Sequence, residues 1–329
     1  MRMPTELHLH LEGTLEPEMT FRLAEQNRLD LPWRDPDELR ARFDFTDLQS
    51  FLDLYTMSQE VLRTGEDFHA LTDAYLARAA AAGVRHAEVS LDLQAHTGRG
   101  VRAAEVLDGV TSALQAAPGR HGLSAGLIVT VLRHLPGEAA LATVREVVES
   151  GYPVLGLGLC STELTAHARD FVEAFDLARA HGLHLTAHAG EEGPPQNVTG
   201  VLDHLRVERV DHGVRACGDP ALVARLVAQR IPLTVCPVSN LRLRVVDALH
   251  EHPLRRMLDS GVMVTLNSDD PAYFGGYLDE VTDRTAEALD LGEEHLSTLA
   301  RNGIDAAWVE ESRRRELHAE LERDLGGTP

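Results

Sequence analysis

Eight stretches rich in apolar and β-branched residues recur along this chain, near 5–10, 84–91, 123–131, 153–159, 183–188, 208–211, 231–235 and 262–267. Amphipathic segments lie between them, such as Phe68–Ala82, Ala103–Ala116, Asp170–His181 and Ala221–Gln229. Their apolar residues fall three and four positions apart, as a helix buried on one side requires. Glycine closes several of them just before the next strand, at Ala82-Gly83, His181-Gly182 and Ser260-Gly261, the expected helix stop. Eight strand–helix alternations with no break in composition predict a parallel α/β fold, most simply a closed (β/α)8 TIM-type barrel forming one domain over 1–329. A doubly wound open sheet is the alternative, but no Gly-x-Gly-x-x-Gly follows the first strand. Residues 15–83 are too many for one crossover and predict an inserted helical cap beside the barrel mouth. Helices follow the last strand, with 313–323 a charged, exposed terminal helix.

The net charge is -21 and every basic side chain except histidine is arginine. So acidic a balance disfavours a phosphate backbone as partner, which needs clustered cations. The three cysteines, Cys160, Cys217 and Cys236, are far apart with no Cys-x-x-Cys. That argues against a disulfide framework or a thiolate zinc site and suits a reducing compartment. No apolar run approaches a membrane span, and the first strand begins too early to leave room for a signal peptide. The expectation is a cytoplasmic enzyme with neither nucleic-acid nor membrane partners; a homo-oligomer is compatible with the sequence.

In a parallel barrel the active site forms at the C-terminal ends of the strands, and polar clusters fall at four of them. The first strand ends Glu6-Leu7-His8-Leu9-His10, whose two histidines share a face because side chains alternate along a strand. His188-Ala189-Gly190-Glu191 ends the fifth, Asp211-His212-Gly213 the sixth, and Asn267-Ser268-Asp269-Asp270-Pro271 the eighth. Three histidines and a carboxylate suit a borderline divalent metal, zinc first, with Fe2+ or another divalent ion as alternatives. We assign His8, His10, His188 and Asp269 as ligands of one Zn2+ per chain, leaving a position for water. Zinc lowers the pKa of such a water to roughly 7. Glu191, in a glycine-flexed turn, is placed to shuttle protons, His212 to hold or deprotonate the water, and Asp270 to bind substrate.

These segments carry a resemblance. The runs 8–18 (HLHLEGTLEPE), 188–195 (HAGEEGPP), 209–215 (RVDHGVR), 234–240 (TVCPVSN) and 267–277 (NSDDPAYFGGY) occur in order over nearly the whole chain. The pattern resembles the adenosine/adenine deaminase family of metal-dependent hydrolases, in its adenine deaminase-like branch. The resemblance implies a (β/α)8 barrel that deaminates a 6-aminopurine, most simply adenine to hypoxanthine and ammonia, with a small-molecule purine as its partner. It further implies that Glu191 protonates N1, His212 orients the hydroxide, Asp270 hydrogen-bonds N7, and ammonia leaves C6. The segment 158–163 aligns with the family's purine-contacting turn, making Gly158, Ser161 and Glu163 expected substrate contacts; Glu163 would receive a hydrogen from the five-membered ring. Cys160 stands where the adenine branch is expected to carry Asp, and Glu88–Leu93 replaces a more aromatic, proline-containing run. The same chemistry on adenosine, an N6-substituted adenine or another aminated heterocycle therefore stays open. So does a purine sensor on the same fold, although such a protein would be expected to have lost a ligand or the proton shuttle, and none is lost.

Other histidine clusters read differently. His86-Ala87-Glu88 matches half of another zinc deaminase signature, but the required Pro-Cys-x-x-Cys is missing. His250-Glu251-His252 sits at an expected helix start, where solvated polar residues are normal. Cys236 is expected to fill space behind a buried strand. Phe51 and Phe274, near the mouth segments, are candidates to stack on a purine.

Overall fold

The computed structural model describes residues 2–326. Eight strands run in sequence order around one sheet: β1 Thr5–Glu6, β2 His86–Leu91, β3 Ser124–Leu132, β4 Gly156–Cys160, β5 His184–Ala189, β6 Arg209–His212, β7 Leu233–Val235 and β8 Val264–Leu266. Each pairs in parallel with the next. A bridge between Leu9 and Asp269 joins the last strand's end to the first, making the expected (β/α)8 barrel.

The first strand departs from the simple alternation expected for 5–10. Glu6 pairs with Ala87 and His10 with Ser90, so β1 and its continuation advance four residues while β2 advances three. One extra residue on one strand is a bulge, and it changes which side chains face inward. Leu7 therefore packs with Met263, Ala306 and Ala307. Its backbone N–H, left without a ladder partner, donates to Asn267 Oδ1 at 2.9 Å. Past the bulge, His8 and His10 both turn into the barrel.

The long first crossover is the expected cap. Helices α1 Pro17–Asn27, α2 Pro36–Arg40 and α3 Leu48–Ser58 precede α4 Gly65–Ala82, which packs back on the barrel. Thr64 and Asp67 form a capping box at the start of α4, and Gly83 at φ 98 ends it. Phe43, Phe45, Phe51, Tyr55, Tyr273 and Phe274 seat the cap in one aromatic cluster with neighbouring centroids 4.7–6.2 Å apart. The terminal helix Glu311–Asp324 is charged as expected but not free of the body, since Leu317 and Leu321 are buried. No helix among the described residues is long and apolar enough to cross a membrane.

At the N-terminal end of the barrel, an ion pair replaces apolar packing. Arg209 on β6 reaches Glu88 on β2 at 2.6 Å, both buried. Glu88 also accepts from the Trp308 backbone N–H at 2.5 Å, and the Arg209 guanidinium stacks 3.5 Å from the Trp308 ring centroid. His86 Nε2 lies 3.3 Å from the same carboxylate, so the His86-Ala87-Glu88 motif belongs to this floor. Burial alone would raise the Glu88 pKa, but Arg209 outweighs it and holds the carboxyl below its ordinary value. A lowered folded pKa means that stability from Glu88 is complete above the unfolded value and is lost as pH falls through the folded one. Arg209→Met should cost about 3–5 kcal/mol at neutral pH by stranding a buried carboxylate. Arg209→Met with Glu88→Leu should recover most of that, as read by urea unfolding; an unaffected single variant would count against this account.

Candidate active site

The four strand ends converge on one buried rim. His8 Nε2 and His10 Nε2 each lie 3.2 Å from His188 Nε2, and Asp269 Oδ1 lies 3.3 Å from His8 Nε2 and 3.6 Å from His10 Nε2. His212 joins them, its Nε2 3.8 Å from Asp269 Oδ2. Imidazole nitrogens so close share no hydrogen when each ring carries its own on Nδ1. Separations of 3.2–3.6 Å are instead those of donors about 2.0–2.2 Å from one shared ion. The other ring edges are held from behind. His8 Nδ1 lies 3.0 Å from Thr234 O and from Thr234 Oγ1, and His188 Nδ1 lies 3.4 Å from Asp211 Oδ2. Such partners fix the tautomer and turn each Nε2 lone pair inward. The donor set therefore fits a divalent cation.

Local backbone aims these groups. By alternation His212 would point outward with Val210's neighbours, but its φ of 62 turns it over the rim. Asp269 has φ 67 and Ser161 φ 73, also left-handed. Asp270 is packed directly against Gly13, where a Cβ would lie 2.1 Å from Asp270 Oδ1, so only glycine fits. The barrel seam holds the ligands in register, with His10 N donating to Asp269 O at 3.0 Å and Asp269 N to His8 O at 3.2 Å.

Protonation divides the carboxyls. Burial would raise Asp269 and Asp211, but the neighbouring histidines hold both well below the carboxylate range. Reciprocally, burial would depress His8, and Asp269 and Asp211 instead lift it to about 9. The cluster's charge calls for a cation at this spot. Glu191 and Asp270 go the other way: burial, reinforced by Asp269, raises both well above their ordinary values. Two carboxyls with raised pKa values thus lie beside the cluster. Glu191 Oε1 accepts from Asn240 Nδ2 at 3.1 Å, and Glu191 Oε2 lies 3.5 Å from His212 Nε2. Asp270 Oδ1 is buried with no partner among the described residues. Burial also lowers His212 well below the ordinary imidazole value, leaving it neutral.

A cavity of about 810 Å³ opens on these groups, lined by His10, His188, Glu191, His212, Asp269 and Asp270 on the barrel side and by residues 48–60 of the cap. Ser161 lines it, and its hydroxyl meets His134 Nδ1 at 2.9 Å. Gly158 does not: it lies inside β4, where a Cβ would press on Thr130 and Thr186 side chains, so it serves barrel packing and not substrate. Glu163 is also displaced from its expected role. Its carboxylate accepts the backbone N–H groups of Gly190, Glu191, Glu192 and Gly193 at 2.7–3.4 Å, and Asn197 Nδ2 at 2.9 Å. Those donors saturate it, and it clamps the turn bearing Glu191. Gly193 is required there, as a Cβ would stand 2.8 Å from Glu163 Oε2. Phe51 lines the cavity, while Phe274 is buried in the aromatic cluster behind it. His252 is not solvated; it is buried against Asn240.

Several groups went unassigned in the sequence. Asp92, the residue after β2, lines the cavity and accepts from Thr130 Oγ1 at 2.5 Å, Cys160 Sγ at 3.2 Å and Tyr55 OH at 3.3 Å. Its position at a strand end was the available signal. Asp211, though within the sixth cluster, had no assigned role; it backs two ligands. Arg133, fully buried, donates to the His188 carbonyl.

Comparison with known proteins places this arrangement. The family model described as Adenosine deaminase matches residues 4–324. Adenine deaminase of Cupriavidus necator is 49% identical, covering 98% of this chain and 92% of its own. Adenine deaminase of Streptomyces coelicolor is 52% identical over 93% of this chain and 90% of its own. Among solved structures, adenine deaminase from Arthrobacter aurescens superposes with a TM-score of 0.98 at 46% identity, covering 99% of this chain and all of its own. An amidohydrolase from Burkholderia ambifaria with bound Zn superposes with a TM-score of 0.90 at 27% identity, covering 99% and 91%.

The Glu163 clamp is open to test. Each N–H bond to a buried carboxylate is worth about 1.5–3 kcal/mol, so Glu163→Ala should lower unfolding stability by about 2 kcal/mol or more. It should also slow turnover while the metal stays bound; unchanged stability by urea unfolding would remove the clamp. By the match of a family model along nearly its whole length, and by relatives about half identical to it, this chain belongs to the adenosine deaminase family of metal-dependent hydrolytic deaminases.

Proposed function

We propose that this enzyme hydrolyses adenine to hypoxanthine and ammonia at a single zinc ion held by His8, His10, His188 and Asp269. The observation that carries the reading is that the carboxyls of Glu191 and Asp270, both with pKa values raised by burial and by Asp269, line the cavity beside the donor cluster. In a 6-aminopurine the reacting carbon C6 is flanked by two acceptor nitrogens, N1 and N7. Two carboxyls biased toward the acid form complement that edge.

When bound, the ion supplies hydroxide at neutral pH by acidifying water. His212, neutral and beside Asp269, holds the attacking oxygen on the face of the ring. Asp270 donates to N7 from an oxygen that has no competing partner among the described residues. Glu191 gives its proton to N1 as the oxygen adds to C6, drawing electrons into the ring where a neutral amidine would resist. The amino group then leaves as ammonia with the proton shed by the water, and the hydrogen still on the added oxygen passes back to the Glu191 carboxylate, which leaves a C6 carbonyl and restores the acid. Burial and Asp269 raise the Glu191 pKa, so its acid form should persist to higher pH than an ordinary carboxyl and catalysis should fall on the alkaline side as it ionises.

The near relatives named as adenine deaminases support free adenine as substrate. The cavity favours a second reading beside it. At about 810 Å³ it exceeds what one purine base fills, leaving room for an N6 substituent or a ribose. Glu163, saturated by backbone donors, gives no basis for choosing a free base. Ammonia release from adenine, adenosine and N6-methyladenine decides: adenine should be preferred at least tenfold in kcat/KM, and a preference for adenosine would overturn the assignment.

Two substitutions test the chemistry. Glu191→Gln should lower kcat by about 10²–10⁴ with metal retained. His8→Ala should lose the metal, read by elemental analysis of the purified protein. Near-normal turnover by Glu191→Gln would take it out of the acid role.

A further inference from the structure

Behind Glu191 and His212 lies Asn240, wholly buried on the helix Pro237–Arg242 that follows β7. Its Nδ2 donates to Glu191 Oε1 at 3.1 Å and stands 3.3 Å from His212 Nδ1. A side-chain amide fits its space either way round, and the reversed amide would set an oxygen against both groups. What decides the orientation is His252, whose Nε2 lies 3.1 Å from Asn240 Oδ1. The His252 ring is itself decided by the backbone, because its Nδ1 accepts from the Leu254 N–H at 3.2 Å.

A backbone N–H can only donate, so every later polarity follows from it. His252 Nδ1 accepts and Nε2 donates; Asn240 Oδ1 accepts and Nδ2 donates. Burial lowers the His252 pKa to about 3, so the ring is neutral and carries that one hydrogen. At the far end, Glu191 Oε1 is taken up as acceptor, which leaves the acidic hydrogen on Oε2. His212 Nδ1 is likewise an acceptor, so its hydrogen lies on Nε2, the nitrogen facing Asp269 and Glu191.

We propose that His252 is a positioning residue of the deaminase site, acting through Asn240 to set which oxygen of Glu191 carries the transferable proton and which tautomer His212 adopts. The inference rests on Glu191 being the acid that protonates the purine. His252 touches neither the cavity nor the donor cluster, so its effect reaches the reaction through Asn240 alone.

The test is a double-mutant cycle on metal-loaded enzyme turning over adenine, with kcat, KM and bound metal read together. His252→Phe and Asn240→Ala should each lower kcat by about 10- to 100-fold, with KM little changed and metal retained. The double variant should be no slower than Asn240→Ala, because a residue acting only through Asn240 has nothing left to act on. His252→Gln, which offers a donor and an acceptor from one amide, should recover kcat to within about fivefold of wild type. Normal kcat in His252→Phe, or losses that multiply in the double variant, would overturn the inference. Should His252→Phe not fold, Asn240→Asp asks the same question. It keeps the shape and the bond from His252 but offers Glu191 no hydrogen, so the same loss is expected and an unchanged kcat overturns the proposal. A wild-type enzyme inactive on every 6-aminopurine would overturn the functional reading and this inference together; an active wild type with an indifferent His252→Phe overturns the inference alone.

Discussion

Buried negative charge is the constraint on which this molecule is built. Glu12, Asp92, Glu191, Asp211, Asp269 and Asp270 all lie buried at one end of a barrel. Six carboxyls in a low-dielectric rim cannot all ionise together. The three converging imidazoles, and the cation their lone pairs fit, settle which ones do. Asp269 and Asp211, nearest the histidines, have their pKa values held down, while those of Glu191 and Asp270 are raised by burial and by Asp269. The reaction proposed above uses that division: an anionic oxygen to bind a metal and carboxyls biased toward the acid form to donate to ring nitrogens. One electrostatic arrangement yields both.

Holding it requires backbone in unfavourable places. His212, Asp269 and Ser161 all have left-handed φ without being glycine, each at a strand end. Such conformations cost of order 1 kcal/mol or more apiece and survive only where surrounding structure dictates them. Here the barrel seam does so. The bulge in β1 turns His8 and His10 inward, the ladder from His8 to Asp269 locks the eighth strand to the first, and Glu163 gathers four amides of the Glu191 turn. The clamp, the seam and the Glu88–Arg209 floor are structural devices, yet the active geometry exists only because of them.

The barrel, and the gathering of these side chains on one rim, were legible in the sequence for a physical reason. Alternating strand and helix periods predict a parallel barrel, and a parallel barrel puts its strand ends on one rim. His8, His10, His188, Glu191, His212, Asp269 and Asp270 needed only that rule. Failures fall where the answer depended on a partner far along the chain. Glu163 looks like a substrate contact until the amides of 190–193 are seen to fill it. His252 reads as a solvated polar residue, and nothing local shows that Asn240 will cover it. The bulge in β1 is invisible too, since Leu7 has the apolar character of either face. Asp92 alone was within reach, as it ends a strand like the others, but it lacked a neighbouring histidine to draw notice.

The donor cluster and the rest of the cavity wall come from different parts of the molecule. The ends of β1, β5, β6 and β8 bring together the histidines, Glu191, Asp269 and Asp270, while the ends of β2 and β4 with helix α3 line the other side of the cavity. Asp92 joins those enclosing parts. It receives hydrogens from Thr130 and Cys160 on the barrel and from Tyr55 on α3, so the seating of the cap depends on what stands at 160. A thiol is a weak donor and carries no charge beside Asp92. A second carboxyl at that position would have to share a proton with Asp92 or push it toward α3. Cys160 therefore lies on the cap side of the cavity, in contact with Asp92.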